Sequence, residues 1–214
     1  MLKLQVLLLI LLIGCRSVSA QENWKLQTEK DNIKVFTKSI LTSKIKALKV
    51  ETTLNASASE VVNVLMDIDR EKEWVYNTRI CTVVKRVSPS DLYYYSEVTL
   101  PWPAQNRDFV AHIMVYQNPS TKIITIDAPC VPGFVPAKPG IVRIVQSTGK
   151  WIITPVSKRQ VRIDYTLAVD PAGSIPAWLV NLVATQGPLE TFRLLKIQLQ
   201  KQENRNVKLS YISD

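Results

Sequence analysis

QVRIDYTLAVDPAGSIPAWLVNLVATQGPLETFRLLKIQLQ, residues 160–200, holds the change from strand to helix on which the fold depends. Gln160–Val169 reads as an extended run. Asp170-Pro171-Ala172-Gly173-Ser174-Ile175-Pro176 stops it and opens a helix, with Ser174 placed to cap the N-terminus and Pro176 in the first turn. Trp178, Leu179, Leu182, Val183, Leu189, Phe192, Leu195 and Leu199 then form one apolar stripe. Gly187-Pro188 falls inside that stripe; proline lacks the backbone donor, so a kink or a split is predicted there.

Moving back along the chain, the pattern is extended. The runs are Ile80–Val87, Leu92–Leu100, Asp108–Tyr116, Ile123–Asp127 and Ile141–Thr154, separated by turn clusters such as Ser88-Pro89-Ser90-Asp91 and Gln117-Asn118-Pro119-Ser120. Connections this short imply antiparallel neighbours. Ser57-Ala58-Ser59-Glu60 is a capping box, and Val61, Val62, Leu65 and Ile68 follow at helical spacing, which predicts one short helix to about residue 70. Asn32–Thr37 and Ile45–Thr53 read as two earlier strands. The fold class is α+β: an antiparallel sheet with a long C-terminal helix buried on one face.

The ends read differently. Met1-Leu2-Lys3 followed by the apolar run Leu4–Ile13 has the form of an export signal and is too short to span a bilayer. Two routes stay open. Val18-Ser19-Ala20 offers a cleavage site that removes residues 1–20; Leu12-Ile13-Gly14-Cys15 offers a lipobox that removes 1–14 and anchors the chain through Cys15. The expected domain is 24–202, with 203–214 a loose polar tail. Net charge is +9, spread without blocks. It reads as a solvated basic surface or as attraction to an anionic membrane; no basic motif with interleaved aromatics points to nucleic acid. Cys81 and Cys130 are either a disulfide or two small buried side chains.

Three stretches resemble a known family. Trp24-Lys25-Leu26…Asp31-Asn32-Ile33-Lys34-Val35-Phe36 is similar to the opening of START (steroidogenic acute regulatory protein-related lipid transfer) domains. Asn106-Arg107-Asp108-Phe109-Val110 resembles their central strand, and Asp170–Asn181 resembles their strand-to-helix junction most specifically. The resemblance runs from Trp24 to Gln202. It implies a helix-grip fold, a curved antiparallel sheet around the C-terminal helix, with an internal hydrophobic tunnel for one lipid-like molecule and the helix as lid. Sterol-binding members carry a facing acid and arginine in the tunnel. Glu97 matches the acid, whereas Ile113 stands at the arginine position, which argues against a sterol.

The candidate ligand-binding residues are Tyr93, Tyr95, Glu97, Trp102, Arg107, Trp178 and Leu182. Arg107 either pairs with an acid, Glu97 among them, or meets a ligand headgroup. The Tyr93-Tyr94-Tyr95 run must turn at least one ring inward, because strand side chains alternate. Trp102, between Pro101 and Pro103, and Trp178, at the start of the helix, are contacts for ligand or membrane, or packing anchors. His112 and Asp108 lie about 13 Å apart by strand rise and form no catalytic pair. With no nucleophile–base set and no metal spacing, the expectation is a non-enzymatic monomer without cofactor or metal that carries or senses a hydrophobic small molecule in the cell envelope. A cyclase or aromatase of the same grip fold is the alternative. A closed core with no continuous space above roughly 300 Å³ would instead mark a structural protein.

Overall fold

The computed structural model describes residues 24–39, 46–173 and 175–214. The export signal, Cys15, Ile45 and Ser174 lie outside the described residues. Strands β1 (Lys25–Lys30), β2 (Ile33–Ser39) and β3 (Lys46–Leu54) lead to helix α1 (Ala58–Met66) and a 3-10 turn, Ile68–Glu73. There follow β4 (Thr78–Ser88), β5 (Asp91–Val98), β6 (Arg107–Gln117), β7 (Ile124–Pro129), β8 (Val142–Arg143), β9 (Gln146–Ser157) and β10 (Gln160–Asp170). Helix α2 (Ala177–Gln198) and a short turn, Gln202–Asn204, close the chain.

The strands make one sheet in the order β1-β2-β3-β10-β9-β7-β6-β5-β4, with β8 beside β6. All its pairings are antiparallel except β6 with β8. The core lies on one face, where Ile33, Val50, Ile126, Ile153 and Ile163 meet Phe192 and Leu195 of α2 and its C-cap Leu199. This is the helix-grip arrangement.

Several sequence expectations are corrected. β1 carries no apolar alternation and is mostly exposed. It forms because Asp31 and Asn32 take φ of 53° and 57°, the left-handed pair that a two-residue hairpin turn requires. The run Ile141–Thr154 is not one strand: β8 leaves β9 to lie parallel to β6, held by Arg143 Nε and Nη2 donating to the Asp108 carboxylate at 2.7 and 2.9 Å. The first helix ends at Met66 rather than near 70, and the chain tightens into the 3-10 turn. At the second helix the N-cap position is Pro176. Helix α2 also runs unbroken through Pro188 instead of splitting, with Gly187 and Pro188 both buried.

The segment 203–214 is not loose. Ile212 and Asn204 are buried, and Leu209 and Tyr211 pack against the core. The Asn206 N–H donates to Glu60 Oε1 at 2.7 Å, and the Ser59 N–H donates to Asp214 Oδ1 at 2.7 Å. Polar composition concealed three apolar anchors and a set of caps for α1.

Candidate functional site

Between the sheet and α2 lies a cavity of about 360 Å³. Its walls follow from strand parity. β6 turns Arg107, Phe109, Ala111 and Ile113 inward and Asp108 and His112 outward. β10 contributes Tyr165, Leu167 and Val169, β9 contributes Ser147, Gly149 and Trp151, and β5 contributes Tyr94 and Val98. The N-terminal half of α2 closes the space with Leu179, Ala184, Gly187 and Pro188. The lining is overwhelmingly apolar, with aromatic rings in tilted and edge-on contact: Trp151 lies 4.4 Å from Tyr165 and 5.3 Å from Phe192, both tilted, and Tyr94 meets Phe109 edge-on at 5.9 Å.

Of the expected site residues whose side chains are described, only Arg107 lines this cavity. Its partners are backbone carbonyls rather than an acid. Nε and Nη2 donate to the Pro171 and Ala172 carbonyls at 3.3 Å each, and Nη1 to that of Gln105. Burial lowers its pKa from the ordinary arginine value. The side chain fastens the β5–β6 loop and the β10–α2 junction to the start of β6.

Tyr93, Tyr95 and Glu97 have the opposite parity and lie on the outer face of β5. Tyr93 stacks between His112 and Phe134 at 4.0 and 4.5 Å. Glu97 is buried, but it bonds Arg79 Nη1 at 2.8 Å and lies near Lys138, which sits 4.3 Å over the Tyr95 ring. The Pro-rich loop after β7 is strapped over this face by Phe134, Lys138 and Arg143. Trp102 is 89% exposed and Trp178 is 53% exposed. The Leu182 side chain lies outside the described residues.

His112 Nε2 lies 2.7 Å from Asp91 Oδ1 on this outer face, a cross-strand partner that spacing along one strand did not reveal. Cys81 and Cys130 are free thiols, and burial pushes Cys130, on the cavity wall, up to about 11. Sequence reasoning also missed Tyr94, Trp151, Tyr165 and Glu71. The apolar parity of Phe109, Ala111 and Ile113, opposite to Asp108 and His112, was the signal that points to Tyr94, which pairs with Ala111 across the strands. Glu71 had no signal, since Arg70-Glu71-Lys72-Glu73 reads as a solvated charged run.

Glu71 is the acid in the cavity wall. Its Oε2 is buried without a hydrogen-bond partner, and burial pushes the carboxyl up to about 8. Trp74 Nε1, three residues on, is also buried without a partner.

The START domain family model matches residues 16–205. The chain belongs to the START domain family. A STAR-related lipid transfer protein of Xanthomonas axonopodis is 30% identical, superposes with a TM-score of 0.76, and covers 83% of this chain and 99% of its own. An uncharacterized protein of Pseudomonas aeruginosa is 26% identical over 88% of this START chain and 93% of its own length. The mouse phosphatidylcholine transfer protein is 26% identical over 77% of this chain and 78% of its own. Human STARD10, at 21% identity and a TM-score of 0.74, covers 86% of this chain and 76% of its own and shares the fold.

Proposed function

We propose that this START domain carries one hydrophobic, lipid-like molecule per monomer in the space beneath α2, as an exported protein of the cell envelope. The observation that carries this reading is the apolar cavity. Its volume of about 360 Å³ falls within the range of small-molecule sites and above the limit that would mark a closed core. Binding draws on apolar area removed from water, about 25 cal/mol per Å², so few polar contacts are needed. Relatives named as lipid transfer proteins support the same reading.

The end of the domain around Arg107 is its membrane-facing side in this reading. Trp102 sits in the same loop as Gln105, and Trp178 follows the Pro171–Ala172 junction; Arg107 ties these two segments together. Indole rings suit the boundary between water and acyl chains.

The test is a fluorescent fatty-acid analogue titrated into the delipidated protein, with native mass spectrometry of protein purified from its own envelope. Saturation at one probe per chain is expected. Ala111→Phe, which fills the cavity from β6, abolishes the signal while the circular dichroism spectrum persists. No bound lipid and no probe binding to the wild type would overturn the carrier reading. Trp102→Ser is expected to weaken vesicle sedimentation without altering probe affinity.

A further inference from the structure

Inside the cavity the polar groups are few and unequal. Arg107 is the cation among the described lining residues, and its guanidinium is engaged by three backbone carbonyls. Glu71 Oε2 and Trp74 Nε1 have no partner at all, although both residues line the same space. Among the described residues, no lysine or arginine forms an ion pair with Glu71. A buried polar atom left unbonded is costly, so a structure that keeps one beside a ligand-sized space has a use for it there.

The groups facing Glu71 are Tyr94 on β5, Tyr165 on β10 and the Cys81 thiol on β4; Asp69 and Lys72 belong to its own turn. All three facing groups are uncharged in neutral solution, their pKa values raised by burial and further by Glu71. With its own pKa near 8, Glu71 is mostly the carboxylic acid at pH 7, able both to donate and to accept a hydrogen bond. An anionic headgroup placed here would be desolvated beside an acid with no free cation to neutralise it. An ammonium would have to shed its water and ionise Glu71 in an apolar space.

We propose that Glu71 is the polar anchor of the cavity and selects an uncharged amphiphile, one whose single polar end is a hydroxyl or carbonyl that exchanges hydrogen bonds with the Glu71 carboxyl. The Trp74 indole N–H, three residues on and likewise buried without a partner, is a further donor beside this turn. This rests on the carrier reading and names the ligand chemistry within it.

The experiment loads the delipidated protein at pH 7 from an equimolar mixture of hexadecanol, palmitate, hexadecylamine and hexadecane. The protein is repurified and the retained probes are quantified. The wild type is expected to enrich hexadecanol over each of the others by about five- to tenfold, the worth of one buried hydrogen bond. Glu71→Gln keeps that preference, because the amide still donates and accepts. Glu71→Leu abolishes it, so that hexadecanol and hexadecane are retained equally. An infrared difference spectrum of the wild type should show a protonated carboxyl band, absent in Glu71→Gln, that shifts with hexadecanol and not with hexadecane. Preference for palmitate or hexadecylamine, or an unchanged hexadecanol preference in Glu71→Leu, overturns the assignment. Equal retention of all four probes overturns the role of Glu71 alone; retention of none overturns the carrier reading with it.

Discussion

Tyr93, Tyr94 and Tyr95 are chemically the same side chain with different surroundings. Tyr94 lines the cavity, while Tyr93 stacks outside on His112 and Tyr95 lies under Lys138. Alternation separates the faces but does not say which one is inside. Glu71 is a sharper case, because it has no sequence signature and yet has a thermodynamic one. Burial raises its folded pKa from the ordinary 4.5 to about 8. Below 4.5 both folded and unfolded chains hold the proton, and the site costs nothing through ionisation. As pH rises towards 8 the unfolded chain ionises and the folded one resists, so stability falls. Glu71→Gln removes that slope. In urea melts the variant should gain on the wild type steadily between pH 5 and pH 8, and an identical pH dependence would show that the carboxyl is solvated.

At the scale of elements, α1 is held by its ends. Ser57 and Glu60 form the capping box, and Glu60 also accepts from Arg159 Nη1 and the Asn206 N–H at 2.7 Å each. Burial pushes the Glu60 pKa up, but the Asn206 and Ser57 N–H groups and Arg159 outweigh it, so the net shift is downward. Stability from this group is therefore present above the ordinary carboxylate range and lost as pH falls through the lowered value. Glu60→Ala should cost about 1–3 kcal/mol by chemical denaturation and free the 203–214 segment to rapid hydrogen exchange. Helix α2 divides by what it touches. Leu195, and Leu199 just past the helix end, pack on the core, whereas Leu179, Ala184, Gly187, Pro188, Thr191 and Phe192 border the cavity. Pro188 leaves the Ala184 carbonyl without its helical donor, and a methyl on Gly187 would sit 3.4 Å from the Tyr76 ring. Replacing Gly187 and Pro188 together by Ala should stiffen this half, slowing vesicle-to-vesicle ligand exchange severalfold with less change in affinity. Uniform hydrogen-exchange protection along α2, with an unchanged transfer rate, would place the gate elsewhere.

For the whole molecule, the export proposal makes its own prediction: cell fractionation should recover a mature form lacking at least residues 1–14, and Cys15→Ser should release it from the membrane only if the chain is lipidated. Full-length protein in the cytosol would rule out export. The capping box at Ser57, most of the strand order, the buried apolar positions Leu179, Phe192, Leu195 and Leu199 and the family motif at Asp170–Asn181 were legible in the linear chain, because each rests on spacing between near neighbours, whereas Trp178, read into the same stripe, is 53% exposed. The hairpin turn at Asp31-Asn32 and the anchoring of Leu209, Tyr211 and Ile212 were not, since neither left a periodic pattern. The site was less legible still. Which tyrosine faces the ligand depends on the register of β5 against β6, and what Arg107 binds depends on two loops far away in sequence. Glu71 became distinctive only when the sheet and α2 enclosed it. By itself, the sequence determined most of the strands, the two helices and their order, because local periodicity is written in adjacent residues. Tertiary structure alone decided which side chains share the cavity and which buried acid is left without a partner, because burial and partnership are properties of residues that meet only after the chain has folded.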